Sequence, residues 1–304
     1  MMTTSTAAMS FPLMLSRTAP VARIIGLMSL VVALAGCSAI KLGYNNLAEL
    51  SYWWLDGYLD FDDSQSPRVR EDLARLHAWH RASELPRLAP LLARLEHAAA
   101  QDITPEQACA LEPELRERLA ALREQAEPAI AAHAVLLGPA QLQHLERKYA
   151  QNNREYTREW LRPSPQERLD KRVKLVAERA EMVYGPLAEP QRAALRERLQ
   201  QSAWNPELVL AERRRRQQDT LAVLRQVTGA SVSLQEARQA MHDLIDRQLE
   251  SPDPNWRAYL ATMRQEACRH IAALHNGTTA AQREHAARRL RAWQRDLAEL
   301  AADR

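Results

Sequence analysis

His77 and His80 stand three residues apart, a spacing that places both imidazoles on one helical face within reach of a shared metal ion. No third ligand lies nearby in sequence, so the plainer reading is two surface histidines. Asp56, Asp60, Asp62 and Asp63 make a tight acidic cluster. Neighbouring carboxylates could serve acid–base chemistry, or Asp63, Ser64 or Ser66 caps the helix that follows. Arg213, Arg214, Arg215 and Arg216 form a basic run whose guanidinium forks suit lipid phosphate or an anionic cell-wall polymer. The same run also reads as a solvated helix with an i, i+4 pair between Glu212 and Arg216. There is no glycine-rich phosphate loop, no G-x-S-x-G elbow, no H-E-x-x-H helix and no Cys-x-x-Cys pair. The expectation is a non-enzymatic protein with no cofactor and no bound metal.

The three cysteines carry more specific chemistry. Arg17 and Arg23 precede an apolar run from Ile24 to Ala35, short of the roughly 20 residues a membrane span requires, and the pattern reads as a cleaved secretory signal. Its last residues, Leu34, Ala35, Gly36 and Cys37, resemble the bacterial lipobox, in which the cysteine thiol takes a diacylglycerol and the bond before it is cut. That resemblance implies a signal peptide over 1–36 and a mature chain held to a membrane through lipids on Cys37. At about 0.8 kcal/mol per buried methylene, several acyl chains make the tether permanent. Ser38 stands where an Asp would favour inner-membrane retention in enterobacterial lipoproteins, so the expected address is the outer membrane, periplasmic face. Cys109 and Cys268 remain; in an oxidising compartment they either pair or stay as two buried thiols.

The elements that position these residues are helices. Glycine numbers only 8 and Phe 2, while Ala, Leu, Arg, Glu and Gln dominate. The net charge of +3 is spread over interleaved acids and bases, which gives no global field to recruit nucleic acid. Apolar residues recurring at three and four predict helices over about 68–81, 85–100, 104–136 (bent at Pro113 and Pro128), 139–161, 165–184, 189–203, 206–227, 233–250, 254–275 and 279–302. Four starts share a device ending in glutamine: Thr104 to Gln107, Gly138 to Gln141, Ala188 to Gln191 and Thr279 to Gln282. The two threonine versions read as capping boxes and the others as weaker ones. Gly138, Gly185, Gly229 and Gly277 follow helical stretches, where a left-handed residue would end one helix before the next. The fold class expected is all-α: antiparallel helical hairpins, about ten helices, behind the signal peptide.

Between anchor and body lies an aromatic-rich segment holding Tyr44, Tyr52, Trp53, Trp54, Tyr58 and Phe61. Tyr52, Trp53, Trp54 and Tyr58 either sit at the lipid headgroup level or dock on the helical body as core. The domain organisation expected is 1–36 signal, 37–64 anchored aromatic segment, and 65–304 helical domain. The Tyr44-Asn45-Asn46 start, Trp53-Trp54-Leu55-Asp56, and the stretch from Leu274 to Arg283 resemble an uncharacterised proteobacterial lipoprotein family, which implies an anchor and a helical fold but no catalytic residue. The Ile103-Thr104-x-x-Gln107 device is similar to the motif of the Spy/CpxP-type periplasmic chaperones. The expected function is an envelope binding scaffold whose partners are the membrane, envelope proteins or cell-wall components. Chaperone-like holding of clients and an unrecognised cell-wall or lipid-acting enzyme are the alternatives.

Overall fold

The structure, a computed structural model, describes residues 40–228 and 232–303. The signal segment with Leu34, Ala35 and Gly36, the anchor Cys37, and Gly229 lie outside the described residues. Those described form twelve helices and no strand. A short helical stretch at 40–45 leads into α1 (Leu47–Leu59), which packs on α2 (Ser66–Ser83). Then come α3 (Leu85–Ala98), the single turn α4 (Pro105–Ala108), α5 (Glu112–Ala134) and α6 (Pro139–Tyr156), which runs on into a π turn at Thr157–Leu161. The second half holds α7 (Pro165–Tyr184), α8 (Glu189–Gln200), α9 (Pro206–Val227), α10 (Leu234–Leu249), α11 (Pro254–Asn276) and α12 (Ala280–Ala302). Helix α12 lies along α3, α10 along α5, α11 against α4, and α7 against α8.

Several boundaries differ from the sequence expectation. The stretch 104–136 is not one bent helix: α4 stops at Cys109, and Pro113 begins α5 rather than kinking it, because a first-turn proline gives up an N–H that has no partner there anyway. The aromatic segment is itself helical, and Tyr58, Leu59 and Phe61 pack on the main core, so residues 40–64 are continuous with the body. Among the described residues, Gly185 is the one expected left-handed glycine with positive φ, at 76°. Gly138 and Gly277 have φ of −89° and −81°, while Asp60, with φ 50°, is the left-handed residue that closes α1.

The glutamine device does more than cap. In each case the side-chain oxygen accepts from the backbone N–H three residues earlier: Thr104 at 2.8 Å, Gly138 at 2.8 Å, Ala188 at 2.8 Å and Thr279 at 3.0 Å. The versions without a hydroxyl make the glutamine bond as closely as those with one, and lack the second bond that the Thr104 and Thr279 hydroxyls accept from the backbone. Gln65 does the same for Asp62 at 3.1 Å, a fifth copy that the sequence pattern hides. Four of these glutamines then meet in pairs. Gln141 donates to Gln65 at 2.7 Å and to the carbonyl of Leu59, while Gln65 donates to the carbonyl of Leu136. In the same way Gln191 donates to Gln282 at 2.7 Å and to the carbonyl of Gly277, while Gln282 donates to the carbonyl of Pro186. Each pair clasps two helix–helix turns that are distant in sequence.

Beneath the first clasp lies the main core, where Ala131, Ala134, Leu142, Leu145, Leu221, Leu224, Val227, Ala237, Met241 and Leu244 join α5, α6, α9 and α10. Smaller cores fill the α7–α8 and α3–α12 seams. Cys109 and Cys268 are disulfide-bonded with Cα atoms 5.6 Å apart, fastening the end of α4 to α11 across 159 residues. In the chain-entropy picture a loop of that length contributes about 5 kcal/mol.

Replacing Gln191 by Leu strips partners from the Gly277 carbonyl and the Ala188 N–H and should cost about 1–3 kcal/mol in urea unfolding. Gln282→Leu should cost a similar amount, and the double variant less than the sum, because the second glutamine has already lost its partner. A strictly additive cycle would show that the clasp does not act as a unit.

Candidate functional site

An apolar cavity of about 940 Å³ lies between α1, α2, α5 and the floor made by α6, α9 and α10. Its size falls within the range of small-molecule sites. The reason for the space is visible in α5. Ala126, Ala129 and Ala132 face the cavity with side chains too small to reach Leu73 and Leu76 on α2. Pro128 within the same helix withholds the N–H that would bond the carbonyl one turn earlier. Trp54, Tyr58 and Phe61 form the wall from α1 and its turn, and Leu145, Leu224 and Met241 form the floor. Close-packed interiors rarely leave apolar volume of this size unfilled.

Polar groups enter this lining sparingly. Asp72 on α2 meets Nε2 of His133 on α5 at 2.7 Å, both partly buried, and Arg75 pairs with Asp72 and with Glu71. These groups could orient a polar end of a ligand. The lining holds no serine or cysteine, so the histidine and carboxylate have no adjacent hydroxyl or thiol nucleophile of those types to activate. What the site offers is dispersion and desolvation along apolar walls, with one charged cluster.

The other sequence candidates are dispersed. Tyr52 turns inward, 5% exposed, with its hydroxyl donating to Ser66 and Arg70 stacked over its ring, so it is not a membrane or partner contact. Tyr58 likewise packs, beside Tyr149, and accepts a hydrogen bond from Asn152. Trp53 and Trp54 are 61% and 62% exposed. One aromatic segment thus has a side packed on the body and a side left exposed. His77 and His80 are not free surface imidazoles: Tyr44 lies against both rings and its hydroxyl meets His80 Nδ1 at 2.9 Å. Burial pushes both below the usual histidine range, so they are neutral at pH 7. Among the described residues no three His, Cys, Asp or Glu groups come together as a metal site. In the acidic cluster Asp62, rather than Asp63, Ser64 or Ser66, caps the turn before α2: it accepts from the Ser64 hydroxyl and from the backbone N–H groups of Gln65 and Ser64, and these bonds hold its carboxyl below the ordinary value, while Asp56 accepts from the Phe61 N–H.

The arginine run is largely spent on internal pairing. Glu212, 5% exposed, accepts from Arg215 at 2.7 Å and from Arg216 at 2.8 Å; Arg247 on α10 grips Asp219 at 2.9 Å, and Arg213 lies over the ring of Tyr156. Arg214 is exposed. The expected Glu212–Arg216 pair is present, and the four guanidiniums do not form one anion-binding face. Burial raises the Glu212 carboxyl, but its hydrogen bonds from Arg215 and Arg216 outweigh that and bring it down to about 2.

Sequence reasoning missed the cavity, since alanine on α5 reads only as good helix former; the usable signal was a run of small side chains opposite a leucine-rich face. No helix among the described residues is long and apolar enough to cross a membrane. Residues 57–248, which include nearly all of the cavity lining, match the model of a family described as of unknown function, DUF6279. No curated protein and no solved structure matches the chain.

Because the folded Glu212 carboxyl sits near 2 and an unfolded one near 4.5, its pairing stabilises the fold fully above pH 4.5 and is lost as pH falls towards 2. Glu212→Gln should cost about 1–3 kcal/mol at pH 7 by denaturant unfolding. The gap between the two proteins should narrow through that acid window. A gap that stays constant with pH would mean the ion pairs are not its source.

Proposed function

We propose a binding function, without chemical turnover, for this chain, which belongs to the DUF6279 family. It is a periplasm-facing lipoprotein of the outer membrane, tethered through Cys37, whose helical body takes a long-chain apolar ligand, an acyl chain, into the cavity below Trp54. The observation that carries this reading is the cavity itself: about 940 Å³ of mostly apolar space in the middle of the family segment, bounded by fixed helices and with one charged cluster in its lining. An acyl chain gains from such walls in proportion to the area it removes from water, roughly 25 cal/mol per Å².

Two features support the address. The lipobox places an acylated residue close to the start of the described helices, and the Cys109–Cys268 disulfide suits an oxidising compartment such as the periplasm. The motif similar to that of the envelope-stress chaperones is used in this fold for capping and clasping, so it lends no separate support to holding unfolded clients. Asp72, His133 and Arg75 are the groups suited to meet the polar end of an amphiphile.

A long-chain fatty acid carrying a diazirine, supplied to cells that make the full lipidated protein, should on illumination label peptides containing Leu73, Leu76 or Ala129 to His133. Ala129→Trp, which fills the cavity from α5, should lower that labelling at least tenfold, equivalent to about 1.4 kcal/mol. Labelling that is insensitive to Ala129→Trp, or confined to peptides remote from the cavity, would refute the assignment.

A further inference from the structure

Helix α1 has one face turned away from the body, on which Trp54 alone also borders the cavity. At 100° per residue, Ala48, Tyr52, Leu55 and Leu59 share the side that packs on the body, and each is buried or half-buried. Leu47, Leu50, Trp53, Trp54 and Gly57 fall in an opposite sector of roughly 120°, and all five are exposed. No charged residue lies in that sector. Glu49, at its edge, is drawn aside into a pair with Arg70. In a chain that is 26% charged, an outward helical face without a charge and with two exposed tryptophans departs from the rest of the surface.

We propose that this face lies in the headgroup layer of the phospholipid bilayer, so that α1 is a second attachment beside the lipid anchor and brings the cavity to the membrane surface. The commitment to a bilayer rests on the tether at Cys37 proposed above. Cys37 is ten residues before Leu47, so even a fully extended connection spans at most about 35 Å, and the helical stretch at 40–45 shortens it. A face held at that distance meets lipid at high effective concentration. Its chemistry agrees: Trp rings are amphipathic and settle at headgroup depth, with leucines reaching the acyl boundary below. Trp54 belongs both to this face and to the cavity wall, its ring tilted against Tyr58 with 4.8 Å between ring centres. Docking therefore places the rim of the cavity at the source of acyl chains.

The test uses the full lipidated protein, with acylation of Cys37 confirmed by mass spectrometry, in phosphatidylethanolamine/phosphatidylglycerol vesicles containing lipids brominated near the headgroup end of the chains. Tryptophan emission should be quenched by the brominated lipid, and Trp53→Phe/Trp54→Phe should remove most of that quenching. Leu47→Glu/Leu50→Glu should also reduce it at least twofold while leaving fatty-acid photolabelling in detergent unchanged, since neither leucine lines the cavity; unchanged circular dichroism would show that both variants are folded. Quenching equal in wild type and both variants would overturn the proposal. So would a wild-type dimer, dissociated by Leu47→Glu/Leu50→Glu, that shows no quenching, since the face would then be covered by a second copy. Loss of photolabelling specificity with quenching intact would instead reject the cavity ligand and leave the docking standing.

Discussion

A primary amide can accept at a helix start while keeping two N–H groups to donate outward, and both clasps are built on that property. Gln191 uses its oxygen for the Ala188 N–H and for Gln282, and its two N–H groups for Gln282 and the Gly277 carbonyl. Its hydrogen-bonding capacity is then filled. Gln141 and Gln65 repeat the arrangement in the first half of the molecule. The contrast with glutamate is instructive. At Ser164–Glu167 and Ser233–Glu236 the same box is closed by a carboxylate, which can only accept, and there the cap serves its own helix alone. The amide becomes a joint between distant turns at Gln141 and Gln191, where a second glutamine faces it, whereas the Gln107 box caps its own short helix.

Helix content and most of the helix limits were legible because they depend on short-range chemistry: proline in first turns, Ser and Thr caps, and apolar residues at three and four. The boundaries that failed depend on tertiary context. Whether Pro113 bends a helix or starts one is decided by the turn at Cys109, which the disulfide to Cys268 holds against α11. Left-handed closure fell to Asp60 instead of Gly138 or Gly277, a choice that the composition of the turns does not display. For the site, Arg213–Arg216 was conspicuous as a cluster, yet its charge is met by Glu212 and Asp219 on the same helix, and Asp219 is shared with Arg247 from α10. The cavity left almost no trace in sequence, because absence of volume on α5 looks the same as ordinary alanine-rich helix.

Charge and space are distributed in complementary ways. The half of the main core near α9 and α10 is rimmed by ion pairs that fix the spacing of those helices, with Glu212 held ionised although little of it reaches water. The half near α1, α2 and α5 has mostly apolar walls and an opening between them, with Asp72 and His133 as the principal polar joint across it. A rigid side and a roomy side in one core suit a body that must keep its shape while a pocket in it fills and empties.

The sulfur link between positions 109 and 268 has a topological effect as well as an energetic one. It encloses six of the described helices, α5 to α10, and part of α11 in one covalent ring, so a peptidase that severs any one bond within that ring opens it without releasing either fragment. A molecule nicked in this way would keep both sides of the cut, with the pocket and the C-terminal helix, on a single particle. Under the tether proposed above, attachment would then outlast the integrity of the backbone.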